Sequence, residues 1–389
     1  MLNYIHDIPT KLYFGKGQIS CLDEVLRPLG KKVLLTYGGG SIKKTGLYDT
    51  VVDILKKGGY TVTELSGIEP NPRIESVEKG VKLCKENNID VILAVGGGST
   101  IDCSKAIAAG VFFDGEDLWQ MVKSRHGVLK SLPLVDILTL SATGSEFDPF
   151  GVISNMKTHE KLGNAYAYPT VSICDPTYTF SVSKYQTASG TADIMSHIFE
   201  GYFSKTADSD LADHVAEGIL KTAIKYLPVA LGKPDDYTAR ANLMSIANIA
   251  CSRIPEYGKQ DTCWPCHAIE HELSAYYDIT HGIGLAILTP RWMRFILKKD
   301  PSCAWRFVRF AKNVWGLDGE DENALALAGI EALETFFKNA GIPESLGKLN
   351  IDDKYFAEMA ANITGRKSLE NAFVPLNSKD IVSILKSCL

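Results

Sequence analysis

Three of the chain's eight histidines, His267, His271 and His281, crowd into one stretch, DTCWPCHAIEHELSAYYDITHG (261–282). A fourth, His197, stands four residues after Asp193 in GTADIMSHIFE. Imidazole changes charge near neutral pH and, as the neutral ring, is the commonest metal ligand. Residues four apart share a helix face, so Asp193 and His197 form one such pair, on a helix that Ser189 or Thr191 is expected to cap. His267 and His271 form another, on CHAIEHELSA. A carboxylate and several imidazoles projecting from neighbouring helices suit a divalent cation of borderline hardness, Fe²⁺ or Zn²⁺, with Mn²⁺ or Co²⁺ as substitutes. His6, His126, His159 and His214 show no comparable clustering.

Cys263, Cys266 and His267 also spell CxxCH, the signature of covalent haem attachment. A haem protein has no use for Asp193 and His197, nor for the glycine turns described next. The nine cysteines, an odd number, are scattered from Cys21 to Cys388. That pattern fits buried apolar thiols in a reducing compartment better than a disulfide framework or an exported cytochrome.

GGGS occurs twice, at 38–41 and 96–99, each time after an apolar run and before a helical one. Glycines there let backbone N–H groups approach a phosphate, and a following helix N-terminus favours its charge. Lys43 and Ile101 stand where GxGxxG requires glycine, so the ordinary Rossmann fingerprint is absent. Lys43 likewise spoils a P-loop reading of the first turn. The first turn offers Gly38, Gly39, Gly40 and Ser41, then Lys43 and Lys44, where an NAD site commonly places an acid to hold the ribose. A 2′-phosphate meets amides, a hydroxyl and ammonium charge instead, which favours NADP(H) over NAD(H). A third polar turn, TLSATGSE (139–146), follows another apolar run.

These residues need a frame. Apolar runs at 31–37, 60–65, 90–95, 132–140 and 170–176 alternate with amphipathic stretches, the pattern of a parallel sheet with helices on both faces. Beyond about residue 183 the helical period dominates. The expected organisation is an α/β dinucleotide-binding domain, Rossmann-like, over 1–182 and an all-helical metal-binding domain over 183–389. A formal net charge of −5, with Lys and Arg scattered, gives no basic face for a phosphate backbone, so nucleic acid is excluded as a partner. No run approaches the roughly 20 apolar residues that cross a bilayer, and MLNYIHDIPTKLYFGKG does not read as a secretory signal. A cytoplasmic protein without a membrane partner is expected.

GGGSTIDCSKAIAAG, TLSATGSE, GTADIMSHIFEGYFS and HAIEHELSAYYDITHG, in that order, resemble the iron-containing (group III) alcohol dehydrogenase family, particularly its butanol dehydrogenase branch. IPTKLYFGKG and EPNPR extend the resemblance over the whole chain. It implies the dehydroquinate synthase-like fold of that family. It further implies metal ligands Asp193, His197, His267 and His281, with His271 relaying the alcohol proton. Gly97, Gly98, Ser99 and Asp102 would hold the cofactor's phosphates and nearby groups, Thr139 and Thr143 would line the same region, and Lys161 would approach the nicotinamide ribose. Gly39 stands where many members carry an acid, as in NADPH-preferring ones. The implied enzyme is a homodimer interconverting small alcohols and aldehydes. A polyol dehydrogenase, a dehydroquinate synthase-like lyase and a non-catalytic dinucleotide-binding protein are the rivals. Nothing here supplies the basic cluster that the lyase would need for a phosphorylated substrate, and a non-catalytic binder has no use for four metal ligands.

Overall fold

The computed structural model describes residues 1–124 and 130–389; His126 lies outside the described residues. Two units form, one built mainly from residues 7–182 together with 234–248, the other from 1–6, 183–233 and 249–389.

In the first unit the strands are β1 (Lys11–Phe14), β2 (Lys32–Tyr37), β3 (Thr61–Leu65), β4 (Val91–Gly96), β5 (Leu134–Leu138), β6 (Phe150–Asn155), β7 (Glu160–Ala165) and β8 (Val171–Cys174). Six of them make a sheet in the order β1-β8-β5-β4-β2-β3, with every pairing parallel. β4 and β5 are buried along their whole length, as strands covered on both faces must be. Helices α1 (Leu22–Leu26), α2 (Ser41–Lys44), α3 (Leu47–Lys57), α4 (Ile74–Asn87), α5 (Gly98–Gly110) and α6 (Leu118–Lys123) accompany them. Two apolar clusters reflect the two sides of the strands: Leu34, Ile92 and Ala94 pack with α4 and α5, while Val33, Leu35, Val91 and Leu93 pack with α1 and α3. All five expected strands are present.

Two features went beyond the sequence expectations. β1 adds a parallel edge strand beside β8, and β6 pairs with β7 as an antiparallel hairpin. β1 is only four residues long, and the hairpin strands FGVISN and EKLGNA interrupt their apolar positions with glycine, lysine and asparagine, so no strand period stands out.

The second unit is helical among its described residues: α7 (Lys184–Tyr202), α8 (Asp210–Gly232), α10 (Pro265–Tyr277), α11 (His281–Lys299), α12 (Ala304–Trp315), α13 (Glu322–Asn339), α14 (Phe356–Arg366) and α15 (Ser378–Ser387). Between α8 and α10 the chain forms α9 (Tyr237–Ala250), most of which packs with the α/β unit. Helical periodicity identifies the helix but not the core that receives it. The cap of α7 is Ser183, whose side chain accepts from the Gln186 N–H. Ser189 and Thr191 lie inside the helix, and Thr191 Oγ1 donates back to the Thr187 carbonyl. The helix begins earlier than its cap candidates because Lys184–Thr187 continue the period.

Candidate active site

α7 turns Asp193 and His197 to one face, both nearly out of solvent. α10 contributes His267 and His271, and α11 opens with His281. The close approach of α11 to α7 depends on Gly282, where a Cβ would overlap the Ser189 carbonyl oxygen and lie 2.8 Å from its carbon. Thus the residue beside His281 must be glycine for the two helices to meet as they do.

Asp193 Oδ1 is the centre of the arrangement. His281 Nε2 lies 3.6 Å from it, His197 Nε2 3.7 Å and His267 Nε2 4.0 Å. The oxygen is buried and makes no hydrogen bond among the described residues. Such a buried acceptor is costly unless something answers it. Ligands about 2.1 Å from a central ion stand about 3.4 Å apart in a tetrahedron, so the observed spacings are slightly open for that geometry. One oxygen and three imidazole nitrogens are also a donor set that Fe²⁺ or Zn²⁺ accepts. The residues therefore fit a divalent cation.

Two carboxylates that the sequence did not single out hold the imidazoles from behind. Glu200 Oε1 accepts from His267 Nδ1 at 2.9 Å and from the His267 backbone N–H at 2.8 Å. Glu270 Oε2 pairs with His281 Nδ1, and its other oxygen accepts from Ser274 Oγ at 2.5 Å. An imidazole donating from Nδ1 presents Nε2 as a lone pair, which is how carboxylates commonly orient metal-binding histidines. Burial pushes the Glu200 carboxyl up to about 8, with the His267 N–H acting in the opposite direction; positive charge nearby favours the ionised form. Both acids were legible as letters in SHIFE and HAIEHE, but only folding places Glu200 beside His267.

His271 lies one turn along from His267, its ring 6.2 Å from that of His267 and 5.4 Å from that of His281. Glu270, His271 and His281 each bring one ligand-type atom within 4.8 Å of the others. His271 is partly exposed where Asp193, His197 and His267 are buried, a position suited to exchanging protons with solvent.

In the α/β unit, both GGGS turns leave the carboxyl ends of neighbouring strands, β2 and β4, where open parallel sheets bind their ligands. Gly97 caps α5 in an extended conformation, and Gly98 and Ser99 begin its first turn. First-turn N–H groups have no intrahelical acceptor. A Cβ at Gly98 would overlap Thr143 Oγ1, and one at Gly97 would lie 3.1 Å from the Leu140 Cβ. The 96–99 and 139–146 turns are therefore in contact, and the Thr139 N–H donates to the Gly96 carbonyl at 2.9 Å. The glycine cradle and the helix start fit a dinucleotide phosphate.

Asp102 has a different setting from a ligand-binding acid. Its Oδ1 accepts from Ser145 Oγ at 2.5 Å and its Oδ2 from the Val152 N–H at 2.9 Å. Burial pushes its carboxyl up to about 6. Lys161, also buried, donates to Asn71 Oδ1 at 2.9 Å from the β6–β7 hairpin. At the first turn, Gly39 and Gly40 face open space and Gly40 has φ 99°, a left-handed conformation. Lys43 does not point freely outward: its Nζ lies 4.5 Å from the Tyr48 ring centre and 5.1 Å from that of Tyr37. Glu64, at the end of β3, accepts from Tyr37 OH at 2.6 Å and Tyr48 OH at 2.7 Å. Its burial works to raise the carboxyl, but these two phenols and Lys43 bring it below its ordinary range. An acid thus stands near the first turn with its oxygens already engaged.

Comparison with known proteins places both units. Residues 9–176 match the family model "Iron-containing alcohol dehydrogenase", and residues 187–389 match "Fe-containing alcohol dehydrogenase family, C-terminal". The chain is 50% identical to NADH-dependent butanol dehydrogenase A of Clostridium acetobutylicum over 99% of both chains. It is 39% identical to the NADPH-dependent aldehyde reductase YqhD of Escherichia coli over 90% of both. The crystal structure of NADH-dependent butanol dehydrogenase A from Thermotoga maritima superposes with a TM-score of 0.93 at 41% identity, covering 100% of this chain and 99% of that one. With the strand order, the helical second unit and the Asp–His cluster in agreement with these matches, the chain belongs to the iron-containing alcohol dehydrogenase family, in its butanol dehydrogenase branch.

Proposed function

We propose that the protein interconverts short aliphatic aldehydes and primary alcohols: aldehyde + NADPH + H⁺ ⇌ alcohol + NADP⁺. The observation that carries this reading is the buried Asp193 oxygen faced by imidazoles from three different helices. In this reading Asp193, His197, His267 and His281 hold one divalent cation, Fe²⁺ or Zn²⁺. The cation supplies Lewis acidity toward the substrate oxygen and the dinucleotide supplies or takes the hydride.

The chain's own residues do the rest. Glu200 and Glu270 keep Nε2 of His267 and His281 directed at the site. His271 holds the proton that the product alcohol requires and exchanges it with solvent. Gly97, Gly98 and Ser99 take the phosphates at the start of α5, Thr139 and Thr143 line the adjoining turn, and Asp102 braces that turn through Ser145. Lys161 serves the nicotinamide ribose. The protein acts as a cytoplasmic homodimer, checked by its mass in light scattering.

Gly38, Gly39, Gly40 and Ser41 favour NADP(H) over NAD(H): Glu64, at the end of β3, stays ionised, but the Tyr37 and Tyr48 hydroxyls already occupy its oxygens, so it is not free to hold a ribose. NAD(H) is the second reading, favoured by the Clostridium and Thermotoga relatives, which carry NADH in their names. Absorbance at the reduced-nicotinamide band, with butanal and protein reconstituted with Fe²⁺ or Zn²⁺, tests all of this. Faster oxidation of NADPH than of NADH is expected; equal or faster use of NADH overturns the cofactor choice, and no oxidation of either overturns the reaction.

A further inference from the structure

CWPC, ahead of His267, has an unusual backbone. Cys263 has φ 65° and Trp264 φ 48°, two consecutive non-glycine residues in the left-handed region. Such residues are uncommon and persist only where the surroundings over-determine them. Neither thiol explains the strain: both are buried, and burial raises both thiols above their ordinary range, the opposite of a reactive cysteine.

The indole between them does have specific neighbours. Trp264 lies 5.0 Å from the His267 ring and 5.7 Å from the His197 ring, and those two imidazoles stack on each other at 4.9 Å. Three ring centres thus close a triangle with two of the proposed metal ligands on it. Trp264 is only half-buried where both imidazoles are buried. Pro265 at the first position of α10 fixes the turn that delivers it. The left-handed pair makes the turn into α10, and its second member, Trp264, lies against both imidazoles.

We propose that Trp264 is a specificity-determining residue: its indole is the apolar wall beside the metal site, on which the alkyl chain of an aldehyde lies. This rests on the dehydrogenase reading above. A broad aromatic face rewards methylene groups and gives a polyol's hydroxyls no partner, so it selects butanal-like substrates over glyceraldehyde-like ones.

The test uses the full chain, stripped of metal, as wild type and as Trp264→Phe and Trp264→Ala. Tryptophan emission is first followed during titration with Co²⁺, whose open d shell quenches nearby indoles. The wild type should lose a saturable share of its emission at one equivalent, and Trp264→Phe should lose at most a third of that share. An equal loss in both overturns the placement of the indole; no saturable loss in the wild type overturns the metal site itself. Metal-loaded samples are then assayed with butanal and with glyceraldehyde. Trp264→Ala should lose roughly tenfold or more in kcat/KM on butanal but less than about threefold on glyceraldehyde, with Trp264→Phe between it and the wild type. An equal fall on both substrates overturns the specificity role and leaves Trp264 a packing residue. A wild type that binds Co²⁺ but reduces neither aldehyde overturns the dehydrogenase reading instead. If the alanine variant does not fold, the phenylalanine variant carries both comparisons.

Discussion

At the residue scale, the site comes down to imidazoles facing the Asp193 oxygen and two acids, Glu200 and Glu270, that hold His267 and His281 from behind. Asp193 with His197 and His267 with His271 read as helical pairs because a four-residue spacing has one geometric meaning. Glu200 and Glu270 did not, since glutamates inside amphipathic helices are ordinary and their partners come from other turns or other helices. These two acids carry a prediction of their own. Glu270→Ala should weaken metal affinity about 10–100-fold, measured by competition with a chromophoric chelator, while Glu270→Gln, which can still accept from His281 Nδ1, should recover most of the loss. His271→Ala belongs to a different class: turnover should fall by roughly two to four orders of magnitude, with metal content per chain unchanged. Loss of the metal from that variant would make His271 a ligand.

At the element scale, the strands were legible from their apolar runs and the helices from their period, yet what positions the sites is closeness between elements. Gly282 lets α11 reach the backbone of α7, and Gly98 lets the start of α5 reach Thr143. Neither contact is written in a periodicity. Gly282→Ala pushes a methyl into backbone that cannot rotate away, so about 1–3 kcal/mol of stability should be lost, seen as a lower unfolding midpoint, together with weaker metal binding. Gly98→Ala meets a side chain, which can turn, so its stability cost should be smaller. Its effect should fall on dinucleotide affinity, which a fluorescence titration with NADPH measures; affinity unchanged within twofold would remove the 96–99 turn from the cofactor site. α9 makes a related point: its sequence identifies a helix, but the core that buries it is a matter of tertiary contacts.

At the scale of the whole molecule, the α/β core carries a group of buried carboxyls that composition alone does not reveal. Ser172 Oγ lies 2.5 Å from Asp136 Oδ2 and 2.6 Å from the Glu146 carbonyl oxygen. A hydroxyl has one proton, and a carbonyl can only accept. Ser172 therefore donates to the carbonyl, and Asp136 donates to Ser172 as a neutral acid. Complete burial raises the Asp136 carboxyl well above its ordinary range and pushes Glu146 up to about 7. The folded state then holds protons that the unfolded chain releases above about pH 4. The stability these groups contribute is present below that pH and is lost as pH rises through their folded values. Asp136→Asn removes one such dependence, so its unfolding midpoint relative to the wild type should climb between pH 4.5 and pH 8, as calorimetry would show; a constant difference would mean Asp136 is ionised in the fold. No helix among the described residues is long and apolar enough to cross a membrane.

The central claim is that Asp193, His197, His267 and His281 surround one cation. Metal bound per chain, measured by elemental analysis after equilibration with Zn²⁺ and removal of loose metal, tests it directly in the wild type and in the four single alanine variants. One equivalent in the wild type and at most a small fraction of it in every variant is the predicted result. Full occupancy in any of the four would contradict the claim.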